Sequence, residues 1–341
     1  MLSRFRSAAR ILLKGDAKRK KRNPIPAITP QEVAEIRQFF PREKFFIFGH
    51  ARSGTTLLMR LARLHPEVHC SYQAHFFTRQ PLLKSLVNTP EAEEWLTRRS
   101  NRWNQGRDLS SLVLRAAADF ILERDAAKEG KHIVGDKSPS STVHGQAVRD
   151  MHAVYPDAKL VYIVRDGRDV LISERFRNLV EESKFLKAED RRIIEELRRD
   201  QTQFTNGARS IFTESVIRRV AMGWVTNLQE TEEEGRRLFG DHYHSLRYED
   251  LLQYPFDEMQ KLWKFLGVQA DRLLDKAITD EMSSNPDEEW QAKRNEDIAS
   301  FLPKGQAGNW QRLFTARDKA VFKEVAGEML IKWRYEKDSS W

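Results

Sequence analysis

The chain has 341 residues, long enough for one large α/β domain, or a domain with insertions, around a sizeable core. Its only cysteine, Cys70, excludes an intrachain disulfide and a cysteine-rich zinc site, and fits a reducing compartment. The formal net charge is +8, but residues 1–22 carry nine Lys or Arg against Asp16 alone, so the remainder is balanced and a generally basic, nucleic-acid-binding body is excluded.

In that basic segment Leu2, Phe5, Ala9 and Leu12 recur at helical spacing among Arg4, Arg6, Arg10 and Lys14. It reads either as an amphipathic stretch resting on an anionic membrane surface or as a disordered, solvated tail. The apolar run Ile11, Leu12, Leu13 is too short for a signal-peptide core and nothing approaches a membrane span, which places the protein in the cytoplasm, with peripheral membrane contact as the amphipathic alternative. Pro24, Pro26 and Pro30 make a stiff linker, and Thr29 before Pro30 starts a short helix over residues 30–40. Residues 1–40 thus precede a single α/β domain at 41–341.

Phe45, Phe46, Ile47 and Phe48 form an apolar run suited to a buried parallel strand. Gly49 and Gly54 permit a tight loop, and from Thr55 a helix follows with Leu57, Leu58, Leu61 and Leu64 towards a core. A strand, a short loop and a helix N-terminus make an anion site of backbone N–H groups and helix dipole, unless the segment is an ordinary strand–turn–helix. The spacing approaches G-x-x-x-x-G-K-[ST], yet Thr55 stands where the lysine belongs and the cation sits earlier, at Arg52. A magnesium nucleoside triphosphate needs the lysine after the second glycine.

His65 and Pro66 end that helix, and residues 68–77 contain Gln73 and His75. Histidine has the intrinsic pKa of a base, though His75 also reads as a packed loop residue. Residues 80–130 are mostly helical, with Leu109, Leu112, Val113, Ala117, Phe120 and Ile121 as an apolar face. A strand from His132 ends at Gly135, Asp136, Lys137, Ser138, Pro139, and strand C-termini are where ligands gather in open α/β sheets. Residues 158–164 are the next strand, followed by Arg165, Asp166, Gly167, Arg168 and Asp169 and by a helix with Ser173 and Arg177. Arg165 and Arg177 with a hydroxyl suit a dianionic monoester, since guanidinium forks bind phosphate bidentately; Asp166, Arg168 and Asp169 read as a local ion-pair network. Residues 181–240 are highly charged helices, an insertion or an acceptor lid, with Trp224 in the core. Arg247, Tyr248, Glu249, Asp250 close a further strand. Lys304, Gly305, Gly308 and Trp310 form a glycine-bearing loop, and Thr315 with Asp318 makes a capping box for a helix at 316–334.

Together these segments resemble sulfotransferases that use 3′-phosphoadenosine 5′-phosphosulfate (PAPS), especially the bacterial and tyrosylprotein branches, over residues 44–314. The resemblance rests on GHARSGTTLL at 49–58, GDKSP at 135–139, YIVRDGRDVLIS at 162–173, RYEDL at 247–251 and KGQAGNW at 304–310. It implies that Arg52, Ser53, Gly54, Thr55 and Thr56 hold the 5′-phosphosulfate, that Arg165, Ser173, Arg177, Lys304 and Gly305 hold the 3′-phosphate, and that Tyr248 touches the adenosine or is simply core. Arg52 and Lys137 become the catalytic cations. The family's general-base glutamate is replaced by Gln73, leaving His75 as the candidate. The expectation is therefore a P-loop-like doubly wound α/β domain with a central parallel sheet. It would transfer a sulfuryl group from PAPS to a hydroxyl or amine of a sugar, lipid, small molecule or peptide, giving 3′,5′-adenosine bisphosphate without a metal. A magnesium-dependent phosphotransferase and a catalytically lapsed nucleotide-binding protein are the competing readings.

Overall fold

The computed structural model describes residues 24–79, 82–97, 102–142, 144–180, 186–269, 273–284 and 305–341. Among these, five parallel strands, β1 (Glu43–Gly49), β2 (Val68–Tyr72), β3 (Ile133–Lys137), β4 (Lys159–Val164) and β5 (Tyr243–Arg247), form one sheet in the order β2-β3-β1-β4-β5. The helices around it include, in chain order, α1 (Pro30–Arg37), α2 (Thr55–Ala62), α3 (Ser110–Lys128), α4 (Gly145–Val154), α5 (Gly167–Val180), α6 (Ala188–Arg199), α7 (Glu214–Phe239), α8 (Tyr248–Gln253), α9 (Pro255–Leu266) and α10 (Ala316–Lys332).

The central strand β1 explains its own sequence. Phe45 and Ile47 face a core shared with Leu58 and Leu61 of α2 and with Met259, Leu262 and Trp263 of α9. Phe46 and Phe48 face a second core built with α3, α4, α5, α7 and α10. Both faces are covered, so the strand is apolar throughout rather than alternating. From β1 the chain runs to the edge strand β2, returns to β3, then crosses to β4 on the other side of β1. The carboxyl end of β1 is thus the place where connections leave in opposite directions, which opens a crevice for ligands. The doubly wound expectation holds.

Local signals set several boundaries. Thr29 Oγ1 accepts from Glu32 N at 3.2 Å while Thr29 N donates to Glu32 Oε2 at 2.9 Å, a capping box that starts α1; the helix ends at Arg37, short of residue 40. The same device at Thr315 and Asp318 starts α10. Trp224 is fully buried in α7, as expected, and its Nε1–H donates to Arg165 O at 3.0 Å.

The apolar face read into residues 109–121 is corrected. Phe120 and Ile121 are exposed, whereas Leu114, Ala118 and Leu122 are buried beside the charged Arg115, Asp119 and Glu123. Arg115 donates to Asp119 at 2.9 Å and to Asp157 at 2.7 Å, Tyr155 donates to Asp119 at 2.9 Å, and Lys44 reaches Glu123 at 2.7 Å. Paired and hydrogen-bonded, these charges tolerate burial. The helix is therefore rotated from the position its apolar residues alone would choose. No helix among the described residues is long and apolar enough to cross a membrane. The basic segment 1–22 lies outside the described residues, so neither reading of it is tested by the fold.

Candidate functional site

The loop between β1 and α2 is wound tightly. Ser53 N donates to His50 O at 3.1 Å, and Arg52 and Gly54 both take left-handed backbone, with φ of 73° and 87°. At Gly54 a side chain is excluded twice: the φ favours glycine, and a Cβ would fall 2.2 Å from Cδ2 of Tyr248. Gly54 caps α2 without any side-chain hydrogen bond, so no side chain competes for the N–H groups of the first turn. Ser53 is 1% exposed and its hydroxyl has no protein partner.

Two cations converge on this loop. Lys137, the last residue of β3, is fully buried; its Nζ donates to Thr56 Oγ1 at 3.2 Å and lies 3.7 Å from the centre of the Tyr72 ring. Burial pushes its ammonium down to about 8, against the opposing pull of Asp136. Arg52 is exposed, and its Nε–H donates to Ser173 Oγ on α5 at 3.0 Å. That bond joins the 5′ and 3′ groups of predicted residues directly.

Arg165, just past β4, bridges two loops. It donates through Nη1 to Arg52 O and through Nη2 to Gln306 O, each at 3.1 Å, and its guanidinium lies 4.8 Å from the centre of the Tyr248 ring. Its buried Nε has no partner. Tyr248 is core, as one of its two readings had it: its ring is buried in the α2–α9 core, while its hydroxyl donates to Gly305 O at 2.7 Å. Arg177 is exposed on α5, one turn beyond Ser173. The structure thus brings together Arg52, Ser53, Gly54, Thr55, Thr56, Lys137, Arg165, Ser173, Tyr248 and Gly305. Lys304 lies outside the described residues.

The segment after β2 is strained and braced. Gln73 and His75 have φ of 58° and 52°, a costly conformation for residues with side chains. Gln73 N donates to Lys137 O at 2.9 Å, Ala74 N to Asp136 Oδ1 at 2.9 Å and His75 N to Ser138 Oγ at 2.9 Å, so the end of β3 holds the loop against it. His75 Nδ1 is 2.9 Å from Thr78 Oγ1. Burial, with Arg79 and Lys137 nearby, lowers the imidazole pKa and keeps it neutral at physiological pH.

Sequence reasoning missed two contributors: Asp136, which organises the Gln73–His75 loop from inside β3, and Asp169, which accepts from Gly308 N at 2.7 Å and Trp310 N at 3.1 Å. Thr56 was placed in the anion loop, but not against Lys137. Arg168 pairs with Asp166 at 2.7 Å and with Glu336, but Asp169 does not join that network as expected, because its oxygens serve the 308–310 amides. The close run of acids and arginines after β4 signalled pairing without saying with whom. Among the described residues, no group of three or more His, Cys, Asp or Glu side chains is placed to hold a metal ion.

Comparison with known proteins follows the same lines. The chain is 27% identical over 225 residues to the protein-tyrosine sulfotransferase of Drosophila melanogaster, covering 65% of this chain and 38% of that protein. It is 29% identical over 127 residues to protein-tyrosine sulfotransferase A of Caenorhabditis elegans, covering 36% and 30%. The match thus spans only 30–38% of these relatives' length. Among solved structures, mouse sulfotransferase SULT7A1 complexed with PAP aligns with a TM-score of 0.46 at 15% identity, over 89% of this chain and 90% of that one. The sulfotransferase domain from the curacin biosynthetic pathway aligns at 0.47 and 17%, over 84% and 97%. The model of the Sulfotransferase family matches residues 44–272, two thirds of the chain and all of the sheet but Glu43, and the chain belongs to that family.

Proposed function

We propose that the protein is a PAPS-dependent sulfotransferase acting on a hydroxyl or amine. The observation that carries this reading is an α-helix N-terminus whose cap is a glycine, with Arg52 in the loop before it and Lys137 held against Thr56 of its first turn. The unpartnered, buried Ser53 Oγ and Arg165 Nε add polar atoms that a phosphate-rich donor would satisfy. Ser53, Gly54, Thr55 and Thr56 would bind the 5′-phosphosulfate. Arg165, Ser173, Arg177, Lys304 and Gly305 would bind the 3′-phosphate, with Tyr248 beside the adenosine.

In the reaction the acceptor oxygen or nitrogen attacks sulfur in line, and the bond from sulfur to the bridging oxygen breaks. The electron pair leaves on the 5′-phosphate of 3′,5′-adenosine bisphosphate. Arg52 and Lys137 stabilise the charge that develops on the bridging and sulfuryl oxygens, which is electrostatic catalysis with no step that calls for a metal. The acceptor proton would go to His75: in the tautomer whose Nδ1–H donates to Thr78 Oγ1, Nε2 keeps the lone pair. Gln73 cannot take a proton. Its presence supports the second reading, a nucleotide-binding member of the fold without turnover.

The acceptor would be a sugar, lipid, small molecule or peptide. Residues 41–341 act as one catalytic domain. Within the 181–240 insertion, a lid would fall to residues 188–213, since α7 contributes to the core; Arg175 of α5 fastens that excursion at both ends, to Asp190 at 2.6 Å and to Ile211 O at 2.7 Å. A cytoplasmic enzyme whose basic segment 1–22 touches an anionic membrane surface is the accompanying expectation for location.

The test is thermal stabilisation by 3′,5′-adenosine bisphosphate against ADP and ATP, with and without magnesium. A ligand at about 100 times its Kd adds roughly 2.7 kcal/mol. The expected result is a magnesium-independent preference for the bisphosphate. A preference for ATP with magnesium would hand the site to a phosphotransferase.

A further inference from the structure

Residues 305–310 are held from two sides. On the donor side, Tyr248 Oη donates to Gly305 O at 2.7 Å and Arg165 Nη2 to Gln306 O at 3.1 Å. From behind, the Asp169 carboxylate, 1% exposed at the start of α5, accepts the Gly308 and Trp310 amides at 2.7 Å and 3.1 Å. Asn309 Nδ2 donates back to Gln306 O at 2.8 Å, which ties the anchored half of the loop to the half that meets Arg165.

The Trp310 ring continues this anchor. The Arg168 guanidinium, also 1% exposed, stacks 3.6 Å from the centre of Trp310 and 4.7 Å from the centre of Trp341, and the two indoles meet edge to face at 6.0 Å. Arg168 is fixed in turn by Asp166 and by Glu336, and Trp341 O accepts from Lys323 Nζ on α10 at 3.2 Å. Apart from Lys323, these groups line a cavity of about 520 Å³ behind the loop, together with Glu249 and Tyr335. A desolvated guanidinium between two tryptophans is a favourable arrangement that neither ring makes alone. It couples Trp341 to the donor side through a continuous chain: Trp341, Arg168, Trp310, its neighbour Asn309, Gln306, Arg165.

We propose that Arg168, Trp310 and Trp341 are positioning residues that fix the 305–310 loop, and through it the Arg165 guanidinium, so that donor affinity is set from behind the site. The proposal rests on the reading of the site as a PAPS site. Its chemistry is that of placement alone: none of the three side chains is asked to touch the reacting atoms. Loosening the stack frees Gln306 O to shift, and Arg165 loses the partner that aims it beside Arg52 O.

The experiment measures binding of 3′,5′-adenosine bisphosphate by calorimetry, and steady-state transfer from PAPS, for the full chain and for Trp341→Ala, Trp341→Leu and Trp341→Phe. Removing one face of a buried cation–π stack should weaken the bisphosphate and raise the donor KM about tenfold. At saturating donor, kcat should stay within about twofold. Trp341→Leu, which keeps apolar volume, should behave like the alanine variant, and Trp341→Phe should recover most of the affinity. A Trp341→Leu variant with unaltered Kd and KM would overturn the stack's role. So would a loss confined to kcat, which is how a smaller folded fraction reads. If the unaltered chain binds no bisphosphate, the PAPS reading falls and takes this proposal with it; if it binds and the variants match it, only the anchor falls.

Discussion

Lys137 Nζ donates to Thr56 Oγ1 at 3.2 Å, so the last residue of β3 is fastened to the first turn of the helix that follows β1. This bond fixes a cation beside the α2 N-terminus, and burial has already lowered its pKa to about 8. Two consequences follow for rate. Lys137→Met should lower kcat by roughly 10²- to 10³-fold, the range for one lost charge-stabilising donor. In the wild type, kcat/KM for the donor should fall as pH rises through about 8, because the free enzyme then loses its cation. Lys137→Arg should move that limb upward if it retains activity, since guanidinium stays charged. A pH profile unmoved by the arginine would assign the limb to another group.

The close approach of Gly54 to Tyr248 gives a second prediction. Gly54→Ala places a methyl 2.2 Å from the ring at a φ of 87°, so it should destabilise the fold by at least 1–3 kcal/mol and weaken bisphosphate binding sharply. The double variant with Tyr248→Leu should recover part of the stability, leaving the backbone strain. Chemical denaturation of the four-member cycle measures the coupling.

Glu249 connects pH to stability. It accepts from Asp166 N at 2.9 Å and from Tyr335 Oη at 3.0 Å, and burial pushes its carboxyl up to about 7 from an ordinary 4.5. Between those values the native state holds a proton that the unfolded state has released. Its stabilising contribution is therefore full below about 4.5 and is lost as pH rises through 7. Glu249→Gln should match the wild type near pH 5 and exceed it at pH 8 by on the order of 2–3 kcal/mol. Melting curves at both pH values test this; an equal effect at each would mean the carboxyl is ionised throughout.

The base can be separated from its neighbour on the same loop. His75→Ala should lower kcat by about 10²-fold or more while leaving bisphosphate binding within twofold. Gln73→Glu adds a second proton acceptor next to Lys137; a large gain in turnover would mean Gln73 marks a lapsed base. Full activity in His75→Ala would remove that residue from the mechanism.

Much of the candidate site was legible because it is local. Arg52, Ser53, Gly54, Thr55 and Thr56 are contiguous, and an apolar run, a glycine-bounded turn and an amphipathic helix dictate their arrangement whatever surrounds them. Lys137 and Arg165 were legible as charged residues at the ends of short strands, Lys137 as the last residue of β3 and Arg165 just past β4. Even the buried strands announced themselves, since a strand covered on both faces has no polar alternation to hide it. Helix α3 was misjudged for the opposite reason. Its apolar residues suggested one face, but Lys44, Tyr155 and Asp157, remote in sequence, supply partners that let Arg115, Asp119 and Glu123 go inside.

By itself, then, the sequence determined the sheet-forming runs, the loop with its displaced cation and the capping boxes at Thr29 and Thr315, all of which depend on residues within a few positions of one another. Only the tertiary structure decided that Lys137 meets Thr56, that Asp169 serves Gly308 and Trp310 rather than Arg168, and that Trp341 packs on an arginine 173 residues before it. Those pairings join segments far apart along the chain, and no local periodicity encodes which partner a buried charge or ring will find.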